Sequence, residues 1–184
     1  MKLILIFLMT TIWLFSSNLS IIYKLYIKQE YNKACDYGRK YLFKNRNIEN
    51  ENYLTLYGLS CVETDNIDRI SLPMIHLKST KEARANASYF GTILLQKELL
   101  LQALVDKKEI YDLHLPKTNF VLSKIFYLFM QKKYTLKNEV YRFQDEEKEN
   151  LAYQLYIKRD KKDRVRMIVD VYQDDKFTKR YNYR

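Results

Sequence analysis

Near residue 138 the spacing of the apolar residues changes, and that change limits what this chain can fold into more than any other feature. From residue 21 to about 138 the apolar positions recur at helical intervals, as at Leu25, Tyr31, Ala34, Tyr37, Tyr41 and Leu42, then Leu54, Tyr57, Cys61 and Val62. Breaks fall at Asn45-Arg46-Asn47, at Thr64-Asp65-Asn66 and around Pro116. Short helices separated by tight turns must bury their stripes on each other, which calls for antiparallel hairpins. Beyond the switch, residues 151–157, 165–171 and 177–183 alternate and are rich in β-branched and aromatic types, with turn-like stretches at 160–163 and 173–176. Residues 139–143 offer a fourth strand. The expected fold class is therefore mainly α: stacked helical hairpins over 21–138, closed by a small antiparallel β-meander over 139–184. In the strand at 165–171, Val165, Met167, Val169 and Val171 share one face, so the sheet needs a cover on that side. The last hairpin would supply it and make the sheet a cap; the alternative is that the face waits for a partner.

The helical part has an internal period. Aligning Tyr31, Ile67, Leu100 and Tyr134 gives intervals of 36, 33 and 34 residues, and three positions later stand Ala34, Ile70, Ala103 and Lys137. Gly58 and Gly91 each precede the second-helix site by 12 residues, at Ile70 and Ala103. Glycine weakens a helix, so its use there predicts a close approach of another helix. With Tyr26, Tyr31 and Ala34 in the first unit, this spacing resembles the tetratricopeptide-repeat family over about residues 21–140. The resemblance implies stacked hairpins with Gly58, Gly91, Ala34 and Ala103 at close helix contacts, and an extended surface for binding proteins. Ile70 and Lys137 depart from the small residue of the family pattern, and Pro73 should kink or delay the helix that contains it.

Residues 1–20 read as an export segment: Lys2, then an apolar run from Leu3 to Phe15 broken only by Thr10 and Thr11, then a short polar stretch. That run is shorter than the roughly 20 apolar residues a membrane-spanning helix needs. The expected location is the bacterial periplasm, with an anchor in the inner membrane facing the periplasm as the alternative. In that alternative the N-terminal segment is the chain's only membrane contact. The formal charge of +10 is spread along the chain without a polybasic tail, the pattern of a solvated lysine-rich surface.

Residues that carry chemistry are sparse. His76 and His114 stand apart from each other and from any cysteine at metal-ligand spacing, and three glycines cannot build a phosphate-cradling loop. The acidic runs at 145–147 and 174–175 lack the alternation of a Ca²⁺ loop and read as solvated turns. No catalytic, metal or cofactor residues are expected, and no enzymatic activity. Cys35 and Cys61 can close a disulfide in an oxidising compartment, or serve as small buried thiols. Seventeen tyrosines, several beside basic residues, suit a protein interface. They would also suit single-stranded nucleic acid, which an exported chain seldom meets. Phe177, Tyr181 and Tyr183, placed on one face of the last strand by strict alternation, are the candidate partner-binding residues. The whole plan resembles small periplasmic accessory proteins of large envelope machines such as flagellar motors. It implies a scaffold whose partner is another envelope protein; the alternative is a basic surface that holds anionic cell-wall or lipid headgroups.

Overall fold

The computed structural model describes residues 17–110 and 113–184. Most of the expected export segment therefore lies outside the described residues, while residues 17–20 open the first helix. Six helices come first: α1 (Asn18–Ile27), α2 (Tyr31–Tyr41), α3 (Glu51–Glu63), α4 (Ser71–His76), α5 (Lys81–Asp106) and α6 (Val121–Met130). Five strands follow: β1 (Thr135–Lys137), β2 (Val140–Gln144), β3 (Leu151–Arg159), β4 (Val165–Gln173) and β5 (Lys176–Tyr183). The strands form one antiparallel sheet in sequence order. No described helix is long and apolar enough to cross a membrane.

Local chemistry fixes many of these boundaries. Ser17, Asn50 and Thr80 cap α1, α3 and α5 by accepting backbone N–H groups of Ser20, Tyr53 and Ala83. Pro73 sits in the first turn of α4, where a missing N–H costs little, so that helix starts at Ser71 after a 3₁₀ turn at Ile67–Arg69. The hairpin between β4 and β5 turns on Asp174 and Asp175, both at positive φ, and the one between β1 and β2 on Asn138 and Glu139. Two consecutive positive-φ residues match the right-handed twist of the flanking strands.

The mainly α class with stacked hairpins is overturned. About 49% of the described residues are helical and 20% lie in strands, and the sheet shares its core with the helices. The expected third hairpin does not exist, because Gly91, Leu100 and Ala103 all lie on the 26-residue α5. Nothing between residues 81 and 106 stops a helix: there is no proline, Gly91 is the only glycine, and Ala, Leu, Glu, Gln and Lys dominate. The fourth unit is lost as well, since Tyr134 precedes β1 and Lys137 ends it. The strands begin at Thr135, on the helical side of the boundary expected at 138, and number five.

Packing explains the order of the layers. α2 packs on α3, α1 on both, α4 on α5, and α5 on α3 and α6. The Cys35–Cys61 disulfide ties α2 to α3 across 4.9 Å between Cα atoms. The sheet presents Phe143, Tyr153, Leu155, Met167, Val169 and Tyr183 to the same buried core that holds Phe90, Ile93, Leu100, Leu122 and Phe126. Over the β2 side, Phe129 of α6 meets Tyr134 and Tyr141 at ring-centroid distances of 5.4 and 5.3 Å. Apolar burial of this kind, at about 25 cal/mol per Å², holds the two layers together.

The glycines grade the tightness of the helical layer. A Cβ at Gly38 would lie 2.3 Å from the Tyr57 ring and 2.9 Å from its Cβ, and one at Gly58 would lie 2.5 Å from the Phe90 ring. At Gly91 the nearest atom is the flexible Met74 Sδ, at 3.3 Å. Gly58 thus accommodates α5 and Gly91 accommodates α4, while Gly38, which the repeat spacing did not single out, makes the tightest contact. Gly38→Ala and Gly58→Ala should each destabilise the protein by about 1–3 kcal/mol in chemical denaturation, with Gly91→Ala near neutral. Equal effects at all three sites would contradict this packing. Reducing the disulfide, which closes a separation of 26 residues, should lower stability by about 3 kcal/mol.

Candidate functional site

The three candidate partner-binding residues do not share a face. Val171 pairs with Lys179 but Tyr172 pairs with Phe177, so one residue of β5 is extra at this point. Thr178 fills the bulge and its hydroxyl donates to the Val171 carbonyl at 3.0 Å. A bulge of one residue reverses the alternation on its far side. Tyr181 and Tyr183 accordingly face the helices, with Tyr183 only 2% exposed and its ring beside Phe120. Phe177 lies on the opposite face, 54% exposed, against Tyr172 and under the Arg180 guanidinium.

That outer face is built in rows across the strands. One row runs Arg142, Gln154, Asp170, Arg180, and the next toward the turn runs Gln144, Ala152, Tyr172, Phe177. Asp170 is buried although it points outward. Arg180 grips it with Nε at 2.6 Å and Nη2 at 2.8 Å, and the Tyr156 hydroxyl donates to it at 3.1 Å. The Asp170 carboxylate raises the pKa of Arg180 above its ordinary value. Beside this patch, β5 is an edge strand: its pairing is with β4, and among the described residues no backbone–backbone hydrogen bond leaves its other side.

A second site, without any counterpart in the sequence reading, lies between the layers. A cleft of about 690 Å³ is bounded by the end of α3, the approach to α6, the β2–β3 turn and β5. Its organising group is Asp145. The carboxylate is fully buried and accepts from Tyr153 Oη at 2.6 Å, Lys124 Nζ at 2.9 Å and the backbone N–H groups of Glu147 and Lys148 at 2.9 and 3.1 Å. Burial alone would raise its pKa, but these four donors outweigh it and hold the carboxyl down at about 2. Across the cleft Lys179 pairs with Asp65 at 2.8 Å, and burial pushes the Asp65 carboxyl above the usual carboxylate range. The run at 145–147 is therefore not simply a solvated turn: its first carboxylate anchors the turn to α6 and β3. Only the spacing Asp145-x-Glu147-Lys148, an acceptor followed two and three residues later by free N–H groups, hints at this in the sequence.

The remaining sequence candidates hold the scaffold. Cys35 and Cys61 form a disulfide, Ala34 and Ala103 are buried in the core, His76 ends α4, and His114 is exposed in the segment before α6. Among the described residues no group of three or more His, Cys, Asp or Glu side chains is placed to hold a metal ion. The chain matches no protein-family model, no curated protein and no solved structure.

Asp145 sets an acid limit on stability. Unfolding returns its pKa from about 2 to about 3.8, so the unfolded chain takes up the proton first as pH falls. The stabilisation is fully present above about pH 4 and is lost as pH falls toward 2. Asp160, lowered to about 2 chiefly by the backbone N–H of Lys162, adds to the same limb. Asp145→Asn should lower stability at neutral pH and flatten the fall between pH 4 and 2 in denaturant titrations. An unchanged acid limb would contradict the assignment.

Proposed function

We propose that this is an exported, non-enzymatic interaction protein of the bacterial envelope, which holds a partner protein at the outer face and free edge of its C-terminal sheet. The observation that carries the reading is β5, an eight-residue strand paired on one side only and flanked by exposed aromatic and basic groups. A free edge offers a ladder of main-chain donors and acceptors to an incoming strand. Arg, Tyr and Phe beside it are residue types that dominate interface energetics. The disulfide suits an oxidising compartment.

Charge favours an acidic segment as the partner over a second copy. Antiparallel pairing of β5 with itself centred on Lys179 or on Arg180 would set that residue against its own copy. Like charges directly opposite are destabilising, whereas an acidic strand would meet each of them favourably. The competing reading, anionic cell-wall or lipid headgroups, draws on the same basic groups, and on Arg142 and Lys158, which have no ion-pair partner among the described residues. The two differ in their response to salt, because screening removes exposed charge contacts but leaves a strand ladder and buried ring contacts.

Phe177→Ala combined with Lys176→Glu changes two exposed side chains at the edge. The variant should keep its circular dichroism spectrum and lose the proteins that the wild-type chain retains from envelope extracts at high salt. Retention of the same proteins by the variant would move the binding surface to the helices. Loss of all retention by the wild type at high salt would favour the headgroup reading.

A further inference from the structure

The geometry points to the cleft around Asp145 as a binding site for an uncharged oligosaccharide, on a surface separate from the β5 edge and independent of the partner reading. Its volume, about 690 Å³, lies within the range of roughly 300–1,000 Å³ typical of small-molecule sites. Six separated stretches of chain converge on it, so its shape is a product of the tertiary fold.

The lining has the composition that a sugar needs. Tyr89, Tyr127 and Tyr181 are only half-buried and offer ring surfaces to the cleft. Sugar rings stack their C–H faces on such π surfaces, which carry partial negative charge. Lys117 Nζ lies over the Tyr127 ring at 4.7 Å from its centroid and Lys179 Nζ over the Tyr181 ring at 4.2 Å, so an ammonium donor takes one face of each of these two rings, while no cation lies over Tyr89 among the described residues. Glu63, Lys117 and Lys148 have no ion-pair partner among the described residues and supply an acceptor and two donors. Hydroxyl groups both donate and accept, and so satisfy mixed polar walls without bringing charge of their own.

Charge and backbone accounting narrow the class. The cleft carries four lysines against five carboxylates in a chain of net charge +10, and Lys124 and Lys179 are already engaged by Asp145, Glu147 and Asp65. An anionic ligand gains little there. A peptide would seek open main-chain groups, yet several of those in the wall at 145–151 are taken up within the turn: Asp145 N–H to the Leu151 carbonyl, Leu151 N–H to the Lys148 carbonyl, and the Glu147 and Lys148 N–H groups to the Asp145 carboxylate. A neutral polyol with ring faces meets what remains.

The test is titration of the full chain with the trisaccharide of N-acetylglucosamine, followed by ligand-observed NMR and calorimetry. Saturable binding should change less than about twofold between low and high salt, as an uncharged ligand requires. Lys117→Ala and Glu63→Ala, both at exposed positions, and Tyr181→Ala should each weaken it, the last by about tenfold, the scale of one aromatic contact. Phe177→Ala, on the other face of the sheet, should leave it unchanged. The assignment is overturned if the wild type shows no saturable binding of the trisaccharide. It is equally overturned if a mixed-charge tetrapeptide saturates the cleft where the sugar does not, or if Lys117→Ala and Glu63→Ala bind as well as the wild type. Should Tyr181→Ala lose its folded spectrum, these two exposed variants still decide the matter.

Discussion

A five-stranded meander with Phe143, Tyr153, Leu155, Met167 and Val169 on one side cannot leave that side in water, and the helices are arranged to close it. α5 and α6 lie over the sheet, and their own buried residues, from Phe90 to Phe126, merge with its inner face into a single core. Two consequences follow from closing only that face. The outer face, with its Arg and Tyr rows, stays in solvent, and the β5 edge stays unpaired. The cleft then arises where the two layers diverge, at the end of α3 and the β2–β3 turn. Every surface with functional potential is thus a by-product of how one apolar face was covered.

How much of this was legible in the sequence depends on the range of the interactions involved. The strands at β2, β3, β4 and β5 are visible because alternation is a local property, and so are the Asp-rich turns between them. The helical repeat was a poorer guide. Its spacing aligned Gly91 and Ala103 as if on two helices, but a repeat in sequence does not break a helix that lacks a stop signal, and α5 runs through both. Lys137 fell to the sheet because pairing with β2 outweighs local preference, and Tyr134 lies in the short link before it. The bulge at Thr178 was out of reach of any period argument, since alternation assumes that no residue is extra. That single insertion is why Phe177 and Tyr181 ended on opposite faces.

The candidate site was less legible than the fold for a related reason. Asp145 and Asp170 look like surface residues of a turn and a strand, yet both are buried, because groups far away in sequence come to meet them: Lys124 and Tyr153 for the first, Tyr156 and Arg180 for the second. Buried carboxylates tolerate this only when fully paired, and each of these accepts several hydrogen bonds. Breaking one partner would leave an uncompensated charge, which costs far more than the pair contributes when intact. Such pairs therefore act less as sources of stability than as fixed registers between elements.

That register bears directly on the edge strand. β5 is mostly exposed, but it is fastened along its length: Arg180 to Asp170 on the neighbouring strand, Lys179 to Asp65 after α3, the Tyr183 ring to Phe120, and the Arg184 carbonyl to the buried Lys97 of α5. These ties reach across both layers, so the strand holds its extended shape before any partner arrives. Ordering an interface on binding costs roughly 0.5–1.5 kcal/mol for each immobilised flexible side chain, and a pre-formed edge leaves that cost with the incoming segment alone. The same ties make the edge and the cleft share structural members, since Lys179 and Tyr181 line the cleft while belonging to the strand whose other side is open. A ligand in the cleft would contact the inner side of the element that a partner would extend. The two surfaces are physically adjacent through one strand, with Lys179 and Tyr181 turned toward the cleft and Phe177 and Arg180 toward the outer face.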